Sequence, residues 1–242
     1  WIDDSYVKLP VIRENTDVYY KDDNGDLKLL LKFRKNCIKK PLIRLGWNSY
    51  KDLAKPSRGR GASAGPIDPE SVYWKKRNLA ETSKWSTSYL KSDGEVSKMK
   101  VNNQVASNPI GYWSSQKNFC ELPCRLTHFT RVNYDKYNEG LPFIQRIDEL
   151  FQKLIPEAHE KQLERADCKP HLKIPETSFS TITINRNFRT ALHQDAGDFK
   201  EGFGNLTVIE RGKYHGGHTC FPQFGVAVDA RSGDFLAMDV HQ

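Results

Sequence analysis

Apolar and polar side chains alternate along much of the chain, and changes in their period mark its predicted elements. Behind the turn signal Asp22-Asp23-Asn24-Gly25, Leu27, Leu29, Leu31 and Phe33 alternate with Lys28, Leu30, Lys32 and Arg34. A period of two predicts a strand with one buried face and one mostly basic face. Ile38, Leu42, Ile43 and Leu45 then suggest a helix within residues 37–53, interrupted by Pro41. From Leu141 onward, Ile144, Ile147, Leu150, Phe151, Leu154 and Ile155 recur at three- and four-residue steps. That is the stripe of an amphipathic helix, a packing surface, broken at Pro156.

Beyond Pro175 the pattern becomes that of strands. Residues 179–184, 205–210, 225–230 and 233–240 are rich in apolar and β-branched side chains. Turn residues separate them: Gly202-Phe203-Gly204, Gly216-Gly217 and Arg231-Ser232-Gly233-Asp234. Short strands at roughly regular spacing, with no helix between them, predict an antiparallel sandwich or jelly roll. With the helices before it, the chain reads as α+β.

Composition narrows the class. With 242 residues, 38% hydrophobic and 28% charged, the chain is neither collagen-like, a coiled coil nor disordered. No run approaches the ~20 apolar residues of a membrane helix, so a soluble protein with no membrane partner is expected. The net charge of +7 comes from 37 Lys+Arg against 30 Asp+Glu. It suits a phosphate-bearing partner and, equally, an ordinary solubilising surface. Residues 70–125 interleave Tyr73, Trp74, Trp85, Tyr89, Tyr112 and Trp113 with lysines; such aromatics can stack bases, though they more often fill cores and edges. Residues 57–66, rich in Gly, Ser and Arg, read as a linker or as a phosphate-facing loop.

The cysteines Cys37, Cys120, Cys124, Cys168 and Cys220 are an odd count with one zinc-like half-site, Cys120 and Cys124, and no second. Reduced thiols in a nuclear or cytoplasmic compartment are expected. His215, His218 and Cys220 share a loop but lack a fourth zinc ligand.

The most informative tripeptide is His193-Gln194-Asp195, at the end of a predicted strand running from Thr181. In an extended segment residues two apart project to one face, so imidazole and carboxylate can reach one metal ion. A second histidine would complete a facial triad of the kind that holds Fe(II). Taken alone, the tripeptide is more simply a surface ion pair near a turn.

Its surroundings change that reading. It is followed by Ala196-Gly197-Asp198, Gly202-Phe203-Gly204-Asn205-Leu206, His215-Gly216-Gly217 and Ser232-Gly233-Asp234-Phe235-Leu236. This succession resembles the double-stranded β-helix dioxygenases that use iron and 2-oxoglutarate. It is most similar to the TET/JBP family, which oxidises the methyl group of 5-methylcytosine or thymine in nucleic acid. The resemblance is strongest over residues 179–242. It implies a jelly-roll core with flanking helices, Fe(II) as metal and 2-oxoglutarate as co-substrate. Residues 1–242 would form one monomeric dioxygenase-like domain, 1–175 packing on core strands in 176–242.

The same resemblance implies roles for single residues. His193 and Asp195 would be iron ligands; the family spacing puts the third ligand past Gln242, with His241 as fallback. Asp198, five residues after His193, falls where the family contacts the flipped base. A carboxylate there accepts from the exocyclic amine of cytosine, so 5-methylcytosine in DNA is the expected substrate. Apart from the resemblance, Arg186 and Arg189 stand just before the motif, and Arg189, the nearer, would meet the co-substrate or a DNA phosphate through its planar guanidinium; Ser107 and Asn108 would contact base or backbone. Two alternatives stay open: a thymine hydroxylase of the base-J type, and a catalytically silent nucleic-acid-binding module.

Overall fold

The computed structural model describes residues 9–53, 55–57, 79–83, 86–101, 105–114, 124–187, 190, 192–195 and 197–242. The first part of the chain forms β1 (Val11–Ile12), β2 (Thr16–Lys21), β3 (Leu27–Arg34), α1 (Lys40–Tyr50), β4 (Pro56–Ser57), β5 (Leu79–Ser83), β6 (Ser86–Leu90) and β7 (Val96–Val101). Then come β8 (Val105–Ser114), β9 (Cys124–Leu126), α2 (His128–Val132), α3 (Tyr134–Leu154) and α4 (Pro156–Asp167). The last part holds β10 (Thr181–Asn185), β11 (Gly204–Thr207), β12 (Thr219–Phe221), β13 (Val226–Val228) and β14 (Phe235–Met238). Residues 58–66, Tyr73, Trp74, Trp85, Cys120 and Arg189 lie outside the described residues.

Two compact units share the chain. The smaller is built from described residues of Ala54–Asn108 and Ile184–His193. There β5, β6 and β7 form an antiparallel sheet, and β4 pairs with the start of β8 through Pro56↔Ala106 and Ser57↔Val105.

The larger unit holds the described parts of Val7–Leu53, Pro109–Thr183 and Gln194–Gln242. Its main sheet runs β11-β14-β3-β2, every neighbour antiparallel. A second sheet runs β1-β13-β12, where β13 pairs antiparallel with β12 but parallel with β1. The two share one apolar core: Leu30, Leu31, Phe33 and Leu236 meet Val228 and Ala230, with Ile12, Val18 and Phe221 packed against them. Burying such side chains is the main driving force for this arrangement.

β3 is the predicted strand, with one correction. Leu30, assigned to the basic face, is fully buried, whereas Leu27 is exposed. The pairing with β2 passes from Val18↔Leu31 directly to Tyr19↔Leu29, so Leu30 is the extra residue of a bulge in β3. Lys32 and Arg34 do keep a polar side, both paired with Asp17 at 3.3 and 2.6 Å. In β14, Phe235, Leu236 and Ala237 are all fully buried, because the strand is covered on both faces; α3 packs beside it and β11. An unbroken apolar run is what a doubly covered strand needs.

The helices also refine the sequence reading. Pro41 does not interrupt α1; it sits in the first turn, where a missing N–H costs nothing. α3 begins earlier than expected, at Tyr134, and the chain breaks at Ile155 before Pro156 opens α4, as predicted. α1 and α3 interlock small against large: Gly46 faces Phe143, and Gly140 faces the ring of Tyr50. A buried carboxylate ties α3 to α4 and to the approach to β10. Asp148 Oδ1 accepts from Ser178 N (2.8 Å) and Oγ (2.6 Å), and its Oδ2 lies 3.0 Å from His159 Nε2.

Of the four predicted late strands all are present, shorter than read, and β12 is an additional one. The turn before β14 shows why its motif is built as it is. Gly233 takes φ +88, and a Cβ there would press on the Ile38 carbonyl at 2.9 Å. Buried Asp234 accepts from Asn36 N and Arg231 N, each at 2.9 Å. Ser232-Gly233-Asp234 is therefore a structural corner.

Candidate active site

The strand expected to carry His193 ends early. β10 stops at Asn185, and residues 192–195 have no regular structure. His193 and Asp195 therefore do not share the face of a regular strand. His193 closes the last segment of the smaller unit, and Asp195 stands in the larger one. Both residues are exposed.

Asp195 is held through its backbone. Its N–H donates to Val240 O (3.1 Å), and its own carbonyl accepts from Asp198 N at a long 3.4 Å, closing a turn. Asp198 is exposed at the end of that turn. Next, Gly202 N donates to Phe199 O (3.0 Å), and His241 Nε2 lies 3.3 Å from the same carbonyl.

The strand end that receives Asp195 is itself fixed. Asp239 N donates to Leu30 O (2.8 Å), continuing the ladder from β14 toward β3. The Asp239 carboxylate accepts from Tyr20 OH on Oδ2 (3.1 Å) and from His241 N on Oδ1 (3.1 Å). Burial, and then the neighbouring Asp239 charge, push the Tyr20 phenol up to about 12. Tyr20 is thus a phenol at any ordinary pH and keeps its proton to donate. Beside this junction lies a cavity of about 410 Å³ lined by Gln194, Lys200, Asp239, His241 and Gln242.

The other predicted positions lie elsewhere. Ser107 is buried, and the Asn108 side-chain amide donates to Lys55 O at 2.6 Å, both within the smaller unit. His218 Nε2 stands 3.8 Å from Asp229, a carboxylate shared with Arg231 and Arg13. Among the described residues no group of three or more His, Cys, Asp or Glu side chains is gathered to hold a metal. The donor types of His193 and Asp195 nonetheless fit iron, which takes imidazole and carboxylate ligands. Tyr20, Asp239 and Lys200 escaped the sequence reading. Asp239 stands only two residues from His241, but nothing local points to Tyr20.

Residues 108–242 match the family model Tet_JBP, the oxygenase domain of the 2OGFeDO superfamily. The chain belongs to the Tet_JBP family. Within the matched stretch lie Asp195, Asp198, His193 and the Asp239–His241 segment. Curated relatives of this Tet_JBP domain include the bifunctional helicase and thymine dioxygenase JBP2 of Leishmania major, 37% identical over 130 residues, 54% of this chain and 12% of that protein. JBP2 of Trypanosoma cruzi is 37% identical over 145 residues, 58% of this chain and 13% of that protein. Thymine dioxygenase JBP1-A of Trypanosoma cruzi is 35% identical over 135 residues, 56% of this chain and 16% of that protein. The matched stretch thus spans well under a fifth of the length of the curated relatives. A solved structure described as NgTET1 in complex with 5mC DNA shares the fold, with TM-score 0.53 and 10% identity, over 98% of this chain and 75% of that one.

Proposed function

We propose that the chain is the catalytic domain of an Fe(II)- and 2-oxoglutarate-dependent dioxygenase that oxidises the 5-methyl group of a pyrimidine in DNA. The observation that carries this reading is the family match over residues 108–242, which takes in His193 and Asp195. His193 and Asp195 would hold the iron, a third donor completing the set. With 2-oxoglutarate and dioxygen, bound iron supplies the oxidising power that replaces a methyl hydrogen with hydroxyl. The double-stranded β-helix implied by the sequence would be formed around the two sheets that share the Leu30–Val228 core.

The remaining work falls to the protein. The Val240 carbonyl ties down the backbone of Asp195. Asp198, on the turn that Asp195 begins, would offer a carboxylate oxygen to the Watson–Crick edge of an extruded base. Arg189 is the proposed cation for co-substrate or phosphate. The excess of basic residues would draw the duplex in, with an affinity that falls as salt rises.

Two bases fit. Thymine is favoured by the relatives, which are themselves named thymine dioxygenases at 35–37% identity. 5-Methylcytosine is favoured by Asp198, whose carboxylate matches the exocyclic amine of cytosine. The test is nucleoside mass spectrometry after incubation with Fe(II), 2-oxoglutarate and duplexes carrying either thymine alone or 5-methylcytosine as well. The hydroxymethyl product names the base. His193→Ala and Asp195→Ala should each abolish it, and product at the wild-type level in either variant overturns the reading. Binding of DNA without any iron-dependent succinate release, in a protein extended past Gln242 to include the third donor, would instead identify a silent binding module. His241→Ala abolishes product only if His241 is the third donor.

A further inference from the structure

We propose that Tyr20 and Asp239 are positioning residues for the iron-binding carboxylate, acting through the backbone of the strand end that Asp195 rests on. The inference rests on the reading of Asp195 as an iron ligand. It is carried by a continuous chain of contacts inside the larger unit. Tyr20 OH in β2 donates to Asp239 Oδ2 at 3.1 Å. Asp239 Oδ1 accepts from His241 N at 3.1 Å, so one carboxylate holds both a remote strand and the next turn of its own chain. Between the two, Val240 O receives the Asp195 amide at 3.1 Å. The Leu30 carbonyl, accepting from Asp239 N at 2.8 Å, pins the same segment to β3.

The physical logic is that of outer partners around a metal ligand. Asp195 lies outside regular secondary structure, and its amide is tied to Val240 O. The position of Val240 O helps set the backbone at Asp195, and it depends in turn on residues 239–241. β14 ends at Met238, so beyond that point the segment no longer has a full strand pairing. Asp239 replaces the missing ladder with two side-chain bonds. Tyr20 fixes the rotamer of Asp239, and its raised pKa keeps the donor proton in place. Groups that orient a ligand in this way typically change metal affinity by roughly ten- to a hundredfold when removed.

The test uses Co(II), which takes the same nitrogen and oxygen donors as iron and reports binding through its visible absorption. The whole chain is titrated as wild type, Tyr20→Phe, Asp239→Asn and Asp195→Ala, with Tyr50→Phe as control. Tyr50 also loses a phenolic hydrogen bond, to Tyr137 O at 3.3 Å, but in the helical layer. Tyr20→Phe should weaken Co(II) roughly tenfold and speed amide hydrogen exchange at Asp195 and His241. Tyr50→Phe should do neither at a comparable loss of thermal stability. Should Asp239→Asn fail to fold, Tyr20→Phe, which removes a single oxygen, carries the test. Wild-type affinity in Tyr20→Phe, with affinity lost in Asp195→Ala, overturns the positioning role and spares the iron site. An equal loss in Tyr50→Phe overturns it too, as a mere stability effect. Wild-type affinity in Asp195→Ala overturns the assignment of Asp195 itself, and the positioning role with it.

Discussion

Removing the Asp148 carboxylate should cost more stability than any other single polar change in the described helices. Asp148 and His159 are 7% and 4% exposed, and Ser178 only 3%. Asp148→Ala strands three donors at once: Ser178 N, Ser178 Oγ and the His159 ring. Hydrogen bonds to a charged group contribute about 1.5–3 kcal/mol each. Their sum overstates the loss, because the site relaxes and the carboxylate's own desolvation is recovered. Breaking a buried pair by deleting one partner costs about 3–5 kcal/mol, and we expect Asp148→Ala to fall in that range. That is about a fifth or more of the roughly 5–15 kcal/mol that holds a typical domain together. Ser178→Ala removes the hydroxyl alone and should cost about 1–2 kcal/mol. In the double variant the two losses should sum to less than their parts, since the hydroxyl has no carboxylate left to lose. The assay is equilibrium urea unfolding followed by tryptophan fluorescence and circular dichroism. Asp148→Ala within about 1 kcal/mol of wild type, or strict additivity with Ser178→Ala, would refute the reasoning.

Two further outcomes are expected. Gly140→Ala drives a methyl group into the Tyr50 ring. Calorimetry should show a net loss of about 1–3 kcal/mol despite the better helix propensity of alanine, and an unchanged or raised Tm would mean the α1–α3 contact yields freely. The Asp17 carboxyl is pushed up by burial, yet Arg34 and Lys32 outweigh this and hold it below the usual value. A depressed carboxyl contributes stability above its unfolded pKa that disappears as pH falls through the lower folded value. Asp17→Asn should therefore narrow the stability gap to wild type as pH drops below about 4. A gap that stays constant across that range would contradict the pairing.

Periodicity exposed the elements whose burial follows one rule along their length. β3, the long helical stripe, its break at Pro156 and the late strands were legible because their apolar spacing matches the geometry directly. What escaped depended on partners far along the chain. Nothing near Leu30 announces the bulge in β3 that turns it inward. β12, with Thr219, Cys220 and Phe221, is too short and too mixed to show a period. Pro41 reads as a breaker locally and becomes a helix starter only once Lys39 and Lys40 set the first turn. For the site, the roles proposed for His193, Asp195 and Asp198 rest on the family resemblance, while the strand inferred to carry His193 ends at Asn185. Tyr20 and Asp239 meet across 219 positions, a separation no local pattern encodes.

The placement of β3 between β2 and β14 governs how this protein can be made. A chain leaving the ribosome completes the β2–β3 hairpin early, but Phe235–Met238 emerges about 200 residues later, roughly 10–40 s at ordinary synthesis rates. Throughout that interval the open edge of β3 and the side chains of Leu30, Leu31 and Phe33 have no native cover. β1 waits equally long for its parallel partner β13. The nascent chain thus exposes this apolar surface until β13 and β14 arrive, and contacts of such long range make their closure slow. A fragment limited to residues 108–242 carries the matched oxygenase sequence without β1, β2 or β3. It leaves β14 as a bare apolar edge, and self-association rather than folding is its natural fate.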